Sequence, residues 1–369
     1  MNIYTVLILG AFLISMVCGF ISTPVILNYC KEKRLYDIPN GRKVHKNPIP
    51  RLGGISFMPS MLLAFFIALF FVADNTDRQF VRINLWSVYF LVSLLIIYFV
   101  GIIDDLIGLN ANIKFVVQII AASIMPMSGL YINNLYGLFG IHEIPYWFGA
   151  CMTVFAIVFI CNAMNLIDGI DGLCAGLSEI ALGGFLLAFF EEGVHAYCVL
   201  IAGLMGVLIA YSYFNLWGKA ESNRKIFMGD SGSLTLGFIL GFLFVKYSMD
   251  NPSVMAYNAK RMCTAMSLLI VPTFDVVRVV LYRLRNHRPI FDADKCHIHH
   301  RLMQTGLSMH QSLLAILALA LVFIIINSML YPLAGFTLVL ITDIATYTLF
   351  HISLTVAISH NNKKEEQMA

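Results

Sequence analysis

The sequence predicts an all-α, polytopic integral membrane protein, and three observations predict it. Of its 369 residues 59% are hydrophobic and 12% charged, with a mean hydropathy of +0.80, far too apolar for a soluble domain. Apolar windows of about 20 residues, the length that crosses a bilayer as a helix, recur along the whole chain. Lys and Arg gather in alternate loops, as the positive-inside rule requires of cytoplasmic segments.

Spans are predicted at 3–28, 53–73, 84–103, 113–128, 147–165, 173–190, 194–215, 232–249, 262–284, 311–330 and 333–358, about eleven helices. An odd number puts the termini on opposite sides. The first run has no basic segment ahead of it and is too long for a signal h-region, so it reads as a retained helix. The loop that follows carries Lys31, Lys33, Arg34, Arg42, Lys43, Lys46 and Arg51, which makes it cytoplasmic, the N-terminus external and the C-terminus cytoplasmic. Threading onward leaves Arg78, Arg82, Lys246, Lys260 and Arg261 outside and every other Lys and Arg inside. Residues 129–146, with Asn133 and Asn134 between apolar neighbours, read as a small external hairpin. External acids such as Asp74, Asp77, Glu191, Glu192 and Asp250 read as a solvated rim. A single membrane domain, 1–360, ends in a polar cytoplasmic tail, 361–369. The eight cysteines lie mostly inside apolar runs without CxxC spacing, and read as small buried hydrophobes.

On this topology the chemically distinctive residues fall on one face, the cytoplasmic one. Asp104–Asp105 end the third span, and adjacent like charges need a cation or lysine nearby. Lys46, in a Pro- and Gly-rich segment from His45 to Gly54, is a candidate for that charge, although a lysine there also serves topology alone. The fifth span closes on Asn162-Ala-Met-Asn165-Leu-Ile-Asp168-Gly-Ile170-Asp171-Gly172-Leu173. Two carboxylates three residues apart, each followed by glycine, suit a hard cation such as Mg2+ better than a helix interior. A polar loop at the membrane surface is the simpler alternative. Phe227-Met-Gly229-Asp230-Ser-Gly232-Ser opens the eighth span. Free N–H groups there suit phosphate oxygens, while Asp230 could serve merely as an N-cap. The flanking glycines favour close backbone approach. Cys296-His297-Ile-His299-His300-Arg301 lacks the separated ligand pairs of a zinc site. Histidines among Arg283, Arg285 and Arg288 instead suit a phosphate or diphosphate. Asp275 and Arg278, three residues apart on one span, read as a structural ion pair.

Together and in this order, these motifs resemble the polyprenyl-phosphate N-acetylhexosamine-1-phosphate transferases, whose branches include MraY of peptidoglycan synthesis and WecA of surface-polysaccharide synthesis. The resemblance runs from His45 to His300. His-Ile-His-His-Arg-Leu in place of the triple histidine of the MraY branch, together with an eleventh helix, points to the WecA-like branch.

What the resemblance implies is a Mg2+ enzyme, with Mn2+ as an alternative metal, of the bacterial plasma (inner) membrane. It would transfer a sugar 1-phosphate from a UDP-N-acetylhexosamine, with GlcNAc as the expected sugar, to undecaprenyl phosphate, releasing UMP at the cytoplasmic face. UDP-GalNAc and UDP-MurNAc-pentapeptide are the alternative donors. Asp230 would be the principal metal ligand with Asp168 beside it. Asp104 would be a base or orient the lipid phosphate, Asp105 would support that pair, and Lys46 would bind phosphate. Phe227 would stack on uracil, Asp171 and Ile170 would line the nucleoside pocket, and Asn165 would order the same loop. His297, His299 and His300 would hold the diphosphate or sugar. No nucleic acid is implied, and a homodimer is left open. A cation-coupled transporter of nucleotide sugars should carry its acids near the midplane, often between repeated halves, and neither is visible. A CDP-alcohol phosphotransferase joins Asp-Gly to a following Ala-Arg, where this chain has Ile170–Asp171.

Overall fold

The computed structural model describes residues 3–37, 47–75, 85–219, 224–289 and 295–368. It is helical, as hydrocarbon demands of any segment that must satisfy its own backbone. The order is α1 (Ile3–Glu32), α2 (Phe57–Asn75), α3 (Leu85–Ile107), α4 (Ala111–Met127), α5 (Tyr146–Ile167), α6 (Leu173–Glu191), α7 (His195–Leu216), α8 (Gly229–Ser248), α9 (Arg261–Leu268), α10 (Ile270–Arg285), α11 (Ile298–Gln304) and α12 (Met309–Met368). Two strand pairs accompany them. Tyr36–Asp37 pairs antiparallel with Ile49–Pro50, and Asn134–Leu138 with Ile141–Glu143. The second pair is the hairpin expected between 129 and 146.

The predicted count of eleven spans is not what length and composition give. Among the described residues eight helices are long and apolar enough to cross a membrane, or nine if α9 and α10, bent by 71°, form one broken span. Two physical reasons account for the difference. α4 is short, a 17-residue helix begun by the Asn110 side chain, which accepts the Asn112 N–H at 3.0 Å. The segments predicted at 311–330 and 333–358 are two helices parted only at Gly335, where φ is 71° and ψ 174°, so the unbroken stretch Met309–Met368 counts once by length although it holds both. At that break the second helix turns back along the first. Asn327 Nδ2 donates to Asp343 Oδ2 at 2.9 Å, and the Phe323 and Tyr347 rings are 6.3 Å apart. In a straight helix residues 323 and 347 would be about 36 Å apart at 1.5 Å per residue. The helix also continues through the predicted polar tail to Met368.

The fold is centred on α8, in which every residue from Ser231 to Ser248 is buried although it is the least apolar of the spans. Small residues explain this. A Cβ on Gly237 would lie 2.6 Å from the Cα of Cys161 on α5, and one on Gly101 of α3 would lie 2.6 Å from the Cα of Ser231. Backbone contact of that kind is how helices associate where no hydrophobic force favours packing over lipid. With α3 and α5 clasping it, the N-terminus of α8 lies beside the C-terminal ends of both.

The rim expected to be external is less simple than a solvated face. Arg261 is fully buried and pairs with Glu192 at 2.9 Å, donating also to the Ala256 carbonyl. Asp250 is tied to the hairpin, its N–H donating to Asn133 Oδ1 at 2.8 Å and its carbonyl accepting Asn133 Nδ2 at 2.7 Å. Buried ions must be paired, and this one fixes the start of α9.

Candidate active site

At the entry to α8 the chain makes an unusually close crossing. The Phe227 N–H donates to the Pro50 carbonyl at 2.7 Å, and Gly53 and Gly54 donate to the Phe227 and Met228 carbonyls at 2.9 and 2.8 Å. Gly229 then takes φ +74°, and a Cβ there would lie 2.1 Å from the Arg51 carbonyl oxygen and 2.5 Å from the Asp105 carboxylate. Only glycine fits both the backbone and the space. The close approach expected of these glycines is therefore present, and it aims Asp230 out of the first turn of α8.

Asp104 and Asp105, consecutive on α3, face different partners. Asp105 accepts the Asp230 and Ser231 N–H groups at 2.8 and 2.9 Å, capping α8 from a neighbouring helix. Asp230 is thus not the cap of its own helix. Asp104 accepts the Leu109 N–H at 2.6 Å and the Lys114 ammonium at 2.8 Å, and Lys114 reaches on to Asp230 at 3.2 Å. Lys46, named as the counter-charge, lies outside the described residues. The charge found between the acids is Lys114. From the other side Asn165 donates to the Asp230 carboxylate and, at 2.8 Å, to Ser233 Oγ. Its role is to hold Asp230 across from α5, beyond ordering its own loop.

Asp168 follows the last residue of α5, and among the described residues no side chain donates to it. Burial pushes its carboxyl up to about 7, and the charges of Asp230, Asp171 and Asp105 push the same way. A cation would relieve that repulsion. Lys114 shows that positive charge is stable between Asp104 and Asp230, and the donors here are all oxygens, which suits Mg2+ rather than zinc. Among the described residues no three His, Cys, Asp or Glu side chains converge as a complete metal set. Asp230 and Asp168 would leave the remaining positions to water and substrate phosphate, as Mg2+ sites commonly do.

Asp171 turns away from these acids. Lys225 pairs with it at 2.5 Å and Asn215 donates to it at 3.5 Å. The Asn215 side chain also accepts the Gly172 N–H at 2.7 Å and donates to the Ile226 carbonyl at 2.9 Å. This stitches the Asn/Asp loop to the segment carrying Phe227, which is half-buried. Ile170 is 5% exposed and belongs to the core.

The histidines come to the same end of the molecule. Asp275 accepts His297 Nδ1 at 2.8 Å and the Ile298 N–H at 3.0 Å, while pairing with Arg278 at 3.0 Å. The expected Asp275–Arg278 pair therefore has a second duty, anchoring the start of α11. His299 is buried against the Asn/Asp loop, so close that a Cβ on Gly169 would meet its Nε2 at 2.2 Å. Among the described residues neither of its ring nitrogens has a hydrogen-bond partner. Burial and the neighbouring His300 and His297 hold its pKa down to about 3, which keeps the ring neutral. His300 lies beside it, ring centroids 4.2 Å apart. Of the three arginines only Arg283 is buried at the site; Arg285 and Arg288 are exposed.

A groove of about 960 Å3 opens from this point between α4, α5 and α10. Lys114, Gln118, Asn162, Asn165, Arg283 and His297 line its polar end. From there it follows α5 from Leu166 to Tyr146 with apolar walls, about 30 Å at 1.5 Å per residue, the thickness of a bilayer core. Lys114, Lys225 and Asn215 were not expected from the sequence.

The sequence profile of glycosyl transferase family 4 matches residues 87–248, which hold the acids and the α8 entry. An undecaprenyl-phosphate alpha-N-acetylglucosaminyl 1-phosphate transferase of Yersinia pestis is 31% identical over 83% of this chain and 78% of its own length. A probable undecaprenyl-phosphate N-acetylglucosaminyl 1-phosphate transferase of Bacillus subtilis (strain 168) is 32% identical over 86% and 83%. The alpha-N-acetylglucosaminyl enzyme of Escherichia coli (strain K12) is 28% identical over 78% and 74%. Matched at this identity over most of its length, the chain belongs to glycosyl transferase family 4, among the polyprenyl-phosphate sugar-1-phosphate transferases that its motifs resemble.

Proposed function

We propose that this enzyme transfers GlcNAc 1-phosphate from UDP-GlcNAc to undecaprenyl phosphate, giving undecaprenyl-diphospho-GlcNAc and UMP, at the cytoplasmic face of the bacterial plasma membrane. One observation carries the reading: an acid and lysine cluster stands at the polar end of a groove that is otherwise apolar for the depth of a bilayer. A lipid phosphate fits such a groove head-first, with Lys114 and Arg283 facing its charge and the chain along α5. The three names above support the lipid and sugar assignments.

Both reactants are anions, so the site must first offset their repulsion. Mg2+, held by Asp230 and Asp168, would supply charge stabilisation for the diphosphate and the departing UMP. Asp105 fixes the N-terminus of α8 and hence the direction of Asp230. Asn165 holds that carboxylate in place. Asp104, already bonded to Lys114, would orient the acceptor phosphate oxygen in line with the phosphorus bearing the sugar. Asn215 and Lys225 fix the loop that presents Phe227 to the uracil. His299, neutral and unpartnered, would accept from or donate to the sugar or diphosphate.

If Phe227 stacks on the base, Phe227→Ala weakens both UDP-GlcNAc and UMP by about 1 kcal/mol, the worth of one aromatic contact. Calorimetry showing both affinities unchanged would remove Phe227 from the nucleoside site. The function itself is tested with purified protein, Mg2+ and undecaprenyl phosphate, offered UDP-GlcNAc, UDP-GalNAc and UDP-MurNAc-pentapeptide in turn. Lipid-linked sugar and UMP should appear in equal amounts with UDP-GlcNAc. Faster turnover of the muramyl donor would overturn the branch assignment, and UDP-sugar crossing the bilayer unchanged would favour a transporter.

A further inference from the structure

α11 is too short to hold its own shape. A seven-residue helix lies well below the roughly 12–15 residues at which isolated helices become even marginal in water. Its direction is therefore set by what grips its two ends. The first end is held on α10, through Asp275 to His297 and Ile298 and through Arg278 to the Cys296 carbonyl. The second end is held on the returning half of α12. Arg301 donates to His351 Nδ1 at 2.8 Å, to the His351 carbonyl at 3.1 Å and to Thr355 Oγ1, and Asn361 donates to the Gln304 carbonyl at 3.3 Å.

The chemistry of the Arg301–His351 bond is defined. Arginine carries donors only and keeps its proton, so the ring nitrogen facing it must accept. His351 is accordingly the neutral tautomer with its proton on Nε2. It is 6% exposed, and its ring packs against Tyr347, centroids 4.6 Å apart and the planes tilted by 56°. A buried acceptor fixed by packing meets a planar fork of donors, an arrangement that sets an angle as well as a distance. Between the two grips sits His299, 1% exposed and pressed on Gly169.

We propose that Arg301, gripped by His351 and Thr355, is a positioning residue: the last transmembrane segment sets the tilt of α11 and so holds His299 in the site. What His299 touches there rests on the functional reading above; that it is held there does not. Among the described residues none of Arg301, His351 and Thr355 bonds to the acid cluster, and the Arg301 guanidinium is spent on His351 and Thr355.

The test reads position and activity separately, on the full-length protein in lipid nanodiscs. Diethyl pyrocarbonate acylates neutral, accessible imidazoles, and peptide mass spectrometry reports each histidine. In the unmodified protein His299 should react slowly. In Arg301→Gln and His351→Leu it should react at least about tenfold faster, the lower end for losing a group that orients a site residue, while His297, gripped by Asp275, stays protected. His351→Asn, whose Oδ1 can stand in for the accepting nitrogen, should restore protection. Turnover of UDP-GlcNAc should fall and recover in parallel, through kcat with UMP affinity unchanged. Unchanged His299 labelling in Arg301→Gln and His351→Leu would overturn the proposal. So would a uniform rise at every histidine that His351→Asn fails to reverse, which marks general loosening. Absence of turnover in the unmodified protein would count against the proposed function and leave the labelling result to decide this inference.

Discussion

Asp230→Asn is expected to abolish transfer, by on the order of a thousandfold or more, the upper range for loss of one electrostatic element of an active site. The substitution keeps the size of the side chain and removes its charge. Asparagine at this position can still face Lys114 and Asn165, and Asp105 still caps α8 through backbone groups that do not change. The fold should therefore survive, with expression and thermal unfolding in detergent close to those of the unmodified protein. What is lost is the more exposed of the two acids that Lys114 bridges, its side chain 29% accessible against 5% for Asp104. A cation arriving from water would meet Asp230 first. Turnover in the asparagine variant within tenfold of normal, at the same Mg2+ concentration, would remove Asp230 as the metal ligand. A variant that fails to fold would instead point to Asp230 as the structural counter-ion of Lys114, to be separated by Asp104→Asn in the same assay.

How far the site could be read beforehand depended on where each residue's partner lies in the chain. Asp104–Asp105, the Asn/Asp stretch, Asp230 and the histidines each sit at the end of an apolar run, so hydropathy and charge alone place them on one face. The structure then brings them together around the N-terminus of α8, through Asp105 to Asp230 and Asn165 to Asp230. Lys114 was hidden because it follows an Asn-rich turn and opens an apolar run, the usual setting of a topogenic charge. The signal was the shortness of that turn. Ile107 ends α3 and Ala111 starts α4, so the first turn of α4 must lie beside the last turn of α3, where Asp104 is. Lys225 and Asn215 had no comparable signal, since their partner Asp171 is 54 and 44 residues away. The same holds for Arg261 and Glu192, 69 apart, which composition assigns to solvent and burial assigns to each other. The helical segments themselves were legible, and what hydropathy could not give was the geometry of their junctions. The last apolar run divided as expected, into 311–330 and 333–358, but hydropathy could not show that the two helices meet with no loop, at a Gly335 of φ 71°.

Lys114→Met should lower turnover by about a hundredfold to a thousandfold, the cost of removing one preorganised charge from such a site, and it should change the metal dependence in the opposite sense. The ammonium now lies 2.8 Å from Asp104 and 3.2 Å from Asp230, side chains otherwise left facing one another with like charge. Methionine preserves much of the stem that lines the groove and leaves the two carboxylates to repel. A divalent cation then has no internal competitor for Asp230, so half-saturation should occur at a lower Mg2+ concentration. The chemical step suffers nonetheless, because Asp104 loses the partner that orients it and the polar end of the groove loses a positive charge where the lipid phosphate must dock. Lys114→Arg should not restore turnover: a planar fork cannot replace a compact ammonium between two carboxylates without moving one of them. The measurements are lipid-product formation against Mg2+ and against undecaprenyl phosphate. Lower kcat with a tighter apparent metal affinity and a raised KM for the lipid phosphate is the expected pattern. Normal turnover in Lys114→Met would show that the bridge between Asp104 and Asp230 has no part in catalysis, and a weakened metal affinity would show that Lys114 helps to assemble the cation site rather than competing for it.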